Sequence, residues 1–193
     1  MLALVACTPE KKQEADYSQY VNPMIGTDFT GNTYPGAQVP FGMVQLSPDN
    51  GLPGWDRISG YFYPDTTIAG FSHTHLSGTG AGDLYDISFM PVTRPYKEAP
   101  APLGIYSTFS HNDEAASAGY YRVLLKDYNI NVELTATERC GIQRYTFPEA
   151  EASVFLNLKK AMNWDFTLDS KIEVVDSTTI RGYRLSQGWS PLQ

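Results

Sequence analysis

The chain has 193 residues, the length of one medium domain or of part of a larger protein, with 42% hydrophobic and 18% charged residues. This composition excludes a disordered chain and a coiled coil, and no apolar run approaches the ~18 residues that a membrane-spanning helix needs. The net charge of −7 argues against nucleic acid or an anionic membrane surface as a partner, because both favour clustered positive charge.

The first predicted element is a truncated export signal at the N-terminus. Leu4-Val5-Ala6-Cys7 looks like a bacterial lipobox, and the polar residues 8–16 suit a flexible tether. A secretory signal should also carry a positive segment and a longer apolar segment, and neither precedes Cys7. The competing interpretation is an ordinary disordered terminus with a chance cysteine. If residues 1–20 are a lipoprotein signal with a tether, Cys7 is acylated and Cys140 has no disulfide partner.

The rest of the chain predicts strands and turns. Residues 22–104 hold 12 of the 16 glycines and 10 of the 13 prolines, a density that forbids long helices and implies short strands joined by structured loops. Residues 130–137 alternate apolar and polar side chains, the period of a half-buried strand. Further strands are predicted at residues 120–126, 142–147, 153–158, 171–175 and 178–185, with a hairpin turn at Asp176-Ser177 and Cys140 as a core thiol in a strand.

The predicted fold class is therefore all-β, an antiparallel β-sandwich. The residues after Gly182 lead out of a strand without a capping element, so we expect residues 21–193 to form an incomplete sandwich that is truncated at its C-terminus. An incomplete sandwich leaves apolar faces bare, and we expect poor solubility of the chain as it stands.

The densest polar loop spans residues 70–86. In extended backbone His73 and His75 point to the same face and could reach one ligand or metal, and Asp83 or Asp86 could complete a zinc-like set. Two histidines and a carboxylate across a glycine-rich loop also arise by accident. The alternative is a loop shaped by hydrogen bonds and packed against a partner domain or a sugar.

A second candidate is the Gly-Trp-Asp-Arg segment at residues 54–57. The Trp55 indole either plugs the end of the sandwich or offers a flat platform for the face of a sugar ring, with Asp56 and Arg57 beside it to bind hydroxyls. The loop acids do not reveal a carboxylate pair for glycoside hydrolysis, because sequence does not show which of them face each other.

Several ordered motifs resemble the N-terminal domain of glycoside hydrolase family 92. They are VNPMIGT at 21–27, YPGA at 34–37, VPFGMVQLSPD at 39–49, GFSHTHLSGTG at 70–80 and VELTATER at 132–139. The resemblance runs in order from Val21 to about Trp189. Two departures from the family pattern, Ala118 before Gly119 and Gln143 before Arg144-Tyr145, lie away from the candidate loops.

The resemblance implies an exported, calcium-dependent, inverting exo-α-mannosidase that acts on mannose-containing glycans. This segment would be its N-terminal β-supersandwich, and a helical catalytic domain absent from this chain would hold the general acid, the general base and the calcium. The sandwich would lend loops to the cleft between the two domains. Trp55 would pack against the sugar beyond the scissile bond. Asp56, His73 and His75 would either touch substrate or buttress the domain interface.

Two rival functions stay open at this stage. One is a non-catalytic carbohydrate-binding or scaffolding module, and the other is a small metallohydrolase built on His73, His75 and Asp83. The family resemblance and the lipobox together predict the periplasm or the bacterial outer membrane as the location, with no nucleic acid as partner and membrane contact only through the lipid anchor.

Overall fold

The computed structural model describes residues 15–78, 82–100, 103–149, 151–159 and 165–188. In chain order the strands are β1 (Ser47–Asp49), β2 (Thr67–Ile68), β3 (Gly70–Ser72), β4 (Ser88–Thr93), β5 (Glu98–Ala99), β6 (Gly104–Ile105), β7 (Ser107–Thr108), β8 (Glu114–Ser117), β9 (Tyr120–Leu125), β10 (Ile130–Ala136), β11 (Gly141–Thr146), β12 (Ala152–Asn157), β13 (Phe166–Val174) and β14 (Ile180–Gln187). Single turns of 3-10 helix span Ser18–Tyr20, Trp55–Arg57 and His111–Asp113. None of the described helices is long and apolar enough to cross a membrane.

The strands form two four-stranded antiparallel sheets with orders β1-β3-β4-β12 and β11-β10-β9-β8. Strand pairs β2-β7, β5-β6 and β13-β14 lie outside these sheets. One hydrophobic cluster joins the inner faces of the two sheets, with Phe71 and Val92 from one sheet and Val123 and Val132 from the other. The predicted all-β, antiparallel sandwich is therefore confirmed.

The central strands form where the sequence alternates most cleanly. In β10, Ile130, Val132 and Leu134 are buried, and the residues between them are exposed or half-buried. Val132 stands opposite Val123 of β9 and Tyr145 of β11, so three inward side chains meet on one row of the sheet. Burial of these apolar side chains fixes the register of the three strands, because a slip of one residue would turn every buried side chain to solvent.

Cys140 is a correction to the sequence interpretation. It lies in the turn between β10 and β11, where its backbone N–H donates to the Thr137 hydroxyl, and it is an exposed free thiol rather than a core thiol in a strand. Thr137 also donates its backbone N–H to the Cys140 carbonyl. These hydrogen bonds hold the turn through the backbone of Cys140. The Cys140 side chain can therefore stay exposed to solvent.

The C-terminal hairpin was predicted with a strand that is too short. The strand predicted at 171–175 extends back to Phe166 in β13, and residues 175–179 connect it to β14. Asp176 accepts a hydrogen bond from the Thr178 backbone, which closes the turn at the predicted place. Large apolar side chains on both strands, among them Phe166, Val174 and Ile180, are about half-exposed or more.

Candidate functional site

Three loops meet beside the first sheet. We call them loop A (residues 26–33), loop B (residues 54–60) and loop C (residues 73–78). The Ser59 hydroxyl of loop B donates to the Thr33 carbonyl of loop A at 3.1 Å. The Gly78 backbone N–H of loop C donates to the Asn32 carbonyl of loop A at 2.7 Å. Loop A therefore connects the two loops that carry the predicted site residues.

His75 is the buried centre of this arrangement. Its Nδ1 lies 2.6 Å from the Gln45 carbonyl oxygen and its Nε2 lies 2.9 Å from Asp49 Oδ1 at the end of β1. Both side chains of the His75–Asp49 pair are fully buried. Both ring nitrogens thus face oxygen atoms of the protein, and these contacts join loop C to Gln45 and to the end of β1.

The neighbours of this pair give it a structural rather than a nucleophilic geometry. Ser72 Oγ lies 3.2 Å from Nε2, the same nitrogen that faces Asp49. A serine–histidine–aspartate triad needs the serine and the carboxylate on opposite ring nitrogens. Ser72, His75 and Asp49 therefore do not form such a triad.

Loop B is packed directly against the pair through Gly60. A Cβ atom on Gly60 would lie 2.7 Å from Asp49 Oδ1 and 3.1 Å from His75 Cδ2, and the residue has a φ of +90°. Only glycine fits both the space and the backbone conformation. Tyr85, whose ring meets the His75 ring edge-on at 5.8 Å, donates its hydroxyl to the Ile58 carbonyl in loop B. Loops B and C are thus held by one buried polar cluster.

His73 has a separate set of partners. Its Nδ1 donates to the Ile87 carbonyl at 2.9 Å, and its ring lies edge-on to Phe89 of β4. Burial lowers the pKa of His73, so the neutral ring is favoured. His73 and His75 share a loop, but each is anchored to different neighbours. The structure therefore does not present them as a pair that shares one partner.

The zinc-like set has no counterpart in the described residues. No group of three or more His, Cys, Asp or Glu side chains within those ranges comes together to hold a metal ion. Asp86 instead binds the Thr74 hydroxyl at 2.8 Å and the Arg184 guanidinium. The metallohydrolase hypothesis therefore gains no support from the part of the chain that is described.

Arg184 of β14 fastens the hairpin to loop C. Its buried guanidinium also binds Asp165, and its Nε lies 3.1 Å from Thr167 Oγ1. Burial raises the pKa of Asp165, while the hydrogen bond from Arg184 opposes that shift. The Asp86 carboxylate accepts hydrogen bonds from both Arg184 and Thr74. The same carboxylate therefore positions the hairpin and loop C.

Trp55 projects from a rigid turn. It begins the 3-10 turn of loop B directly after Gly54 and is 52% exposed, and Asp56 beside it is half-buried. Arg57 closes the turn with a two-pronged ion pair to Asp65, with distances of 2.6 and 2.5 Å, and lies over the Phe62 ring. The Arg57 side chain is thus held by contacts within the domain, whereas the indole of Trp55 presents a broad apolar surface at the tip of the loop.

Phe29 of loop A is a candidate that the sequence interpretation missed. Its side chain is 80% exposed and its φ is +51°, a conformation that costs energy for a bulky residue. Strained, exposed aromatic residues tend to lie at ligand or partner contacts. The signal available in the sequence was an aromatic residue between turn-forming residues, Asp28 before it and Thr30-Gly31 after it.

The third histidine belongs to another cluster. His111 contacts Glu114 at 2.7 Å and stacks on Tyr63. Glu114 is buried and also accepts hydrogen bonds from the hydroxyls of Tyr61 and Tyr121. Burial next to this carboxylate raises the pKa of both phenols.

The fold and the loops define an antiparallel β-sandwich domain that presents an aromatic loop tip beside the buried His75–Asp49 pair. The chain belongs to glycosyl hydrolase family 92, because residues 20–193 match the model of the glycosyl hydrolase family 92 N-terminal domain. The predicted family is thereby confirmed.

Solved structures of this family resemble the chain closely. The family GH92 α-mannosidase BT3965 from Bacteroides thetaiotaomicron is 42% identical with a TM-score of 0.85, over 91% of this chain and 24% of its own. The inverting mannosidase BT2199 of the same organism is 29% identical with a TM-score of 0.66, over 85% of this chain and 21% of its own. An uncharacterized secreted glycosidase from Arthroderma benhamiae is 27% identical over 78% of this chain and 20% of its own length. The chain therefore spans about a quarter or less of the length of these relatives.

The His75–Asp49 pair generates a stability prediction. Replacing His75 by Leu leaves the buried Asp49 carboxyl without this partner, and we expect a loss of about 3–5 kcal/mol in the free energy of unfolding. Adding Asp49→Asn to His75→Leu removes the buried carboxyl and should recover part of that loss. Urea unfolding of the unchanged protein, the two single variants and the double variant measures both effects. If the double variant is as unstable as the sum of the single changes, the pair is not the coupling that holds these loops.

Proposed function

We propose that this chain is the N-terminal part of an exported exo-α-mannosidase that hydrolyses terminal α-mannosides of glycans with inversion. The observation that carries the proposal is the 42% identity to a family GH92 α-mannosidase across 91% of the chain. Inversion is supported by the likeness to the inverting mannosidase BT2199. Membership in a glycosidase family supports a glycan as the substrate class.

The proposed enzyme divides the chemistry between two domains. The general acid, the general base and the calcium ion belong to a C-terminal catalytic domain outside this chain. The role of this chain is to bind and orient the sugar, and the isolated chain should not hydrolyse it.

Trp55 and Asp56 are the proposed sugar contacts. Loop B holds the indole about half-exposed on a turn that the Arg57–Asp65 pair keeps rigid. A flat apolar face of this kind packs on the C–H face of a pyranose, and a neighbouring carboxylate can accept hydrogen bonds from its hydroxyls. The two residues would form the wall of the cleft on the leaving-sugar side.

His73 and His75 are proposed to act by buttressing this wall. His75 is 2% exposed and both its nitrogens contact protein acceptors, so its contribution would be the position of loops B and C. The partly buried His73 supports loop C against Phe89 of β4 and against the start of β11, where a Cβ atom on Gly141 would lie 2.8 Å from His73 Cδ2.

The proposed location is the periplasm or the outer membrane of a bacterium. The relative from Arthroderma benhamiae is described as secreted, which supports export. Acylation of Cys7 would anchor the protein, and this residue lies outside the described ranges.

The full-length protein tests the function directly. We expect it to release mannose from an α-linked mannobiose, with the β-anomer as the first product by proton NMR, and a calcium chelator should abolish the activity. Retention of mannosides on an affinity matrix without any hydrolysis by the full-length protein would instead favour the carbohydrate-binding module.

Trp55→Ala in the full-length protein tests the sugar contact. We expect kcat/KM for the mannobiose to fall about tenfold, equivalent to ~1.4 kcal/mol, with little change for an activated aryl mannoside that lacks the second sugar. Phe166→Ala is the control, since this aromatic side chain is similarly exposed and belongs to β13, not to any of the three loops. Equal losses on both substrates, or none on either, would remove Trp55 from the leaving-sugar contact.

A further inference from the structure

A groove lies on the solvent face of the sheet β11-β10-β9-β8. It has a volume of about 380 Å³ and is lined by Tyr120, Arg122, Asn131, Glu133 and Thr146, with the backbone of the valines between them as its floor. These side chains point away from the hydrophobic core because they alternate with buried residues on β9 and β10. None of them belongs to loops A, B or C.

Glu133 forms one side of this groove and its charge is already compensated. Arg144 binds it through two contacts of 2.6 and 2.5 Å, and the Tyr120 hydroxyl donates to it at 2.7 Å. These hydrogen bonds, with Arg144 as the largest cause, lower the pKa of Glu133 to about 2. The hydrogen bond from the Tyr120 hydroxyl to Glu133 also fixes the position of the Tyr120 ring along the groove.

Arg122 acts on Glu133 only through space, and its charge helps to lower the pKa of that carboxyl. It stands opposite Glu133 in the register of β9 and β10, yet it makes no hydrogen bond or ion-pair contact with another side chain in the described residues. Two guanidinium groups thus surround the Glu133 carboxylate, Arg122 in the lining of the groove and Arg144 beside it, although the chain as a whole carries a net charge of −7. A local positive charge on an acidic protein is a feature that attracts an anion at short range, where salt screens least.

The remaining lining groups suit a sugar. The Asn131 amide and the Thr146 hydroxyl lie on neighbouring strands, directly opposite each other, and their side chains have no hydrogen-bond partners within the part of the chain that is described. Together with the Tyr120 ring they offer donors, acceptors and an apolar surface at a spacing set by the sheet. The guanidinium of Arg122 can bind a carboxylate or phosphate through two parallel hydrogen bonds.

We propose that this outer groove is a second saccharide-binding site, for a sugar that carries an anionic group, with Arg122 on the anion and Tyr120, Asn131 and Thr146 on the ring and its hydroxyls. The saccharide part rests on the proposed function, and the anion part rests on the charge of the groove. Such a site would hold an acidic glycan on the protein surface away from the cleft.

The test is a ligand-observed NMR titration of the full-length protein with mannose 6-phosphate, glucuronate, mannose and inorganic phosphate. We expect at least one of the two charged sugars to bind at least about fivefold tighter than both mannose and inorganic phosphate. Arg122→Gln should weaken this binding about tenfold. Arg94→Gln is the matched control, because Arg94 is also an exposed arginine, outside the groove, and it should leave the binding unchanged.

Three outcomes would overturn the proposal. Equal binding of inorganic phosphate would reduce the groove to a simple anion site, and equal binding of mannose would show that the charge is not recognised. The same affinity in Arg122→Gln as in the unchanged protein would place the ligand elsewhere. Hydrolysis of an aryl mannoside is measured in parallel, and its rate should be the same in Arg122→Gln as in the unchanged protein. Failure of the groove proposal is thereby distinguished from failure of the proposed mannosidase function.

Discussion

The buried contact between His75 and Asp49 is the constraint on which the candidate site depends. It joins the end of β1 to loop C, and Gly60 brings loop B within van der Waals distance of the same two side chains. A buried histidine–carboxyl contact is costly to desolvate, so it persists only where its polar atoms have hydrogen-bond partners. Around His75, the Gln45 carbonyl and the Ser72 hydroxyl are such partners. The position of Trp55 follows, because its turn is part of the loop that packs against this pair.

The sandwich supplies the rigid frame for that cluster. The hydrophobic row of β9, β10 and β11 fixes one sheet, and the first sheet carries the strand ends from which Asp49 and Ser72 reach His75. The Arg184 clamp then ties β14 to loop C through Asp86. Function in such a domain is placed on loops, and the packed core determines how precisely those loops are held.

The sequence predicted the sandwich because its strongest signals are local. Residues 130–137 alternate cleanly and became β10, whereas the start of β13 was missed because a register shift between Thr167 and Asp169 breaks the two-residue period. The candidate site was less predictable. Trp55 stood out as an aromatic residue in a glycine-rich loop. In contrast, the partners of His75 are Gln45 and Asp49, about thirty residues earlier in the chain, and only tertiary packing brings them together. The role of Cys140 was misjudged because a turn was taken for a strand.

Under the proposed function, loop B presents Trp55 to the sugar beyond the scissile bond. A crystal structure of the full-length protein with a sulfur-linked α-mannobiose, which resists hydrolysis, would show this contact. We expect the indole face within about 4 Å of the second sugar, with His75 still bound to Asp49 and the Gln45 carbonyl. A second sugar bound entirely by the C-terminal domain, with Trp55 out of contact, would contradict it.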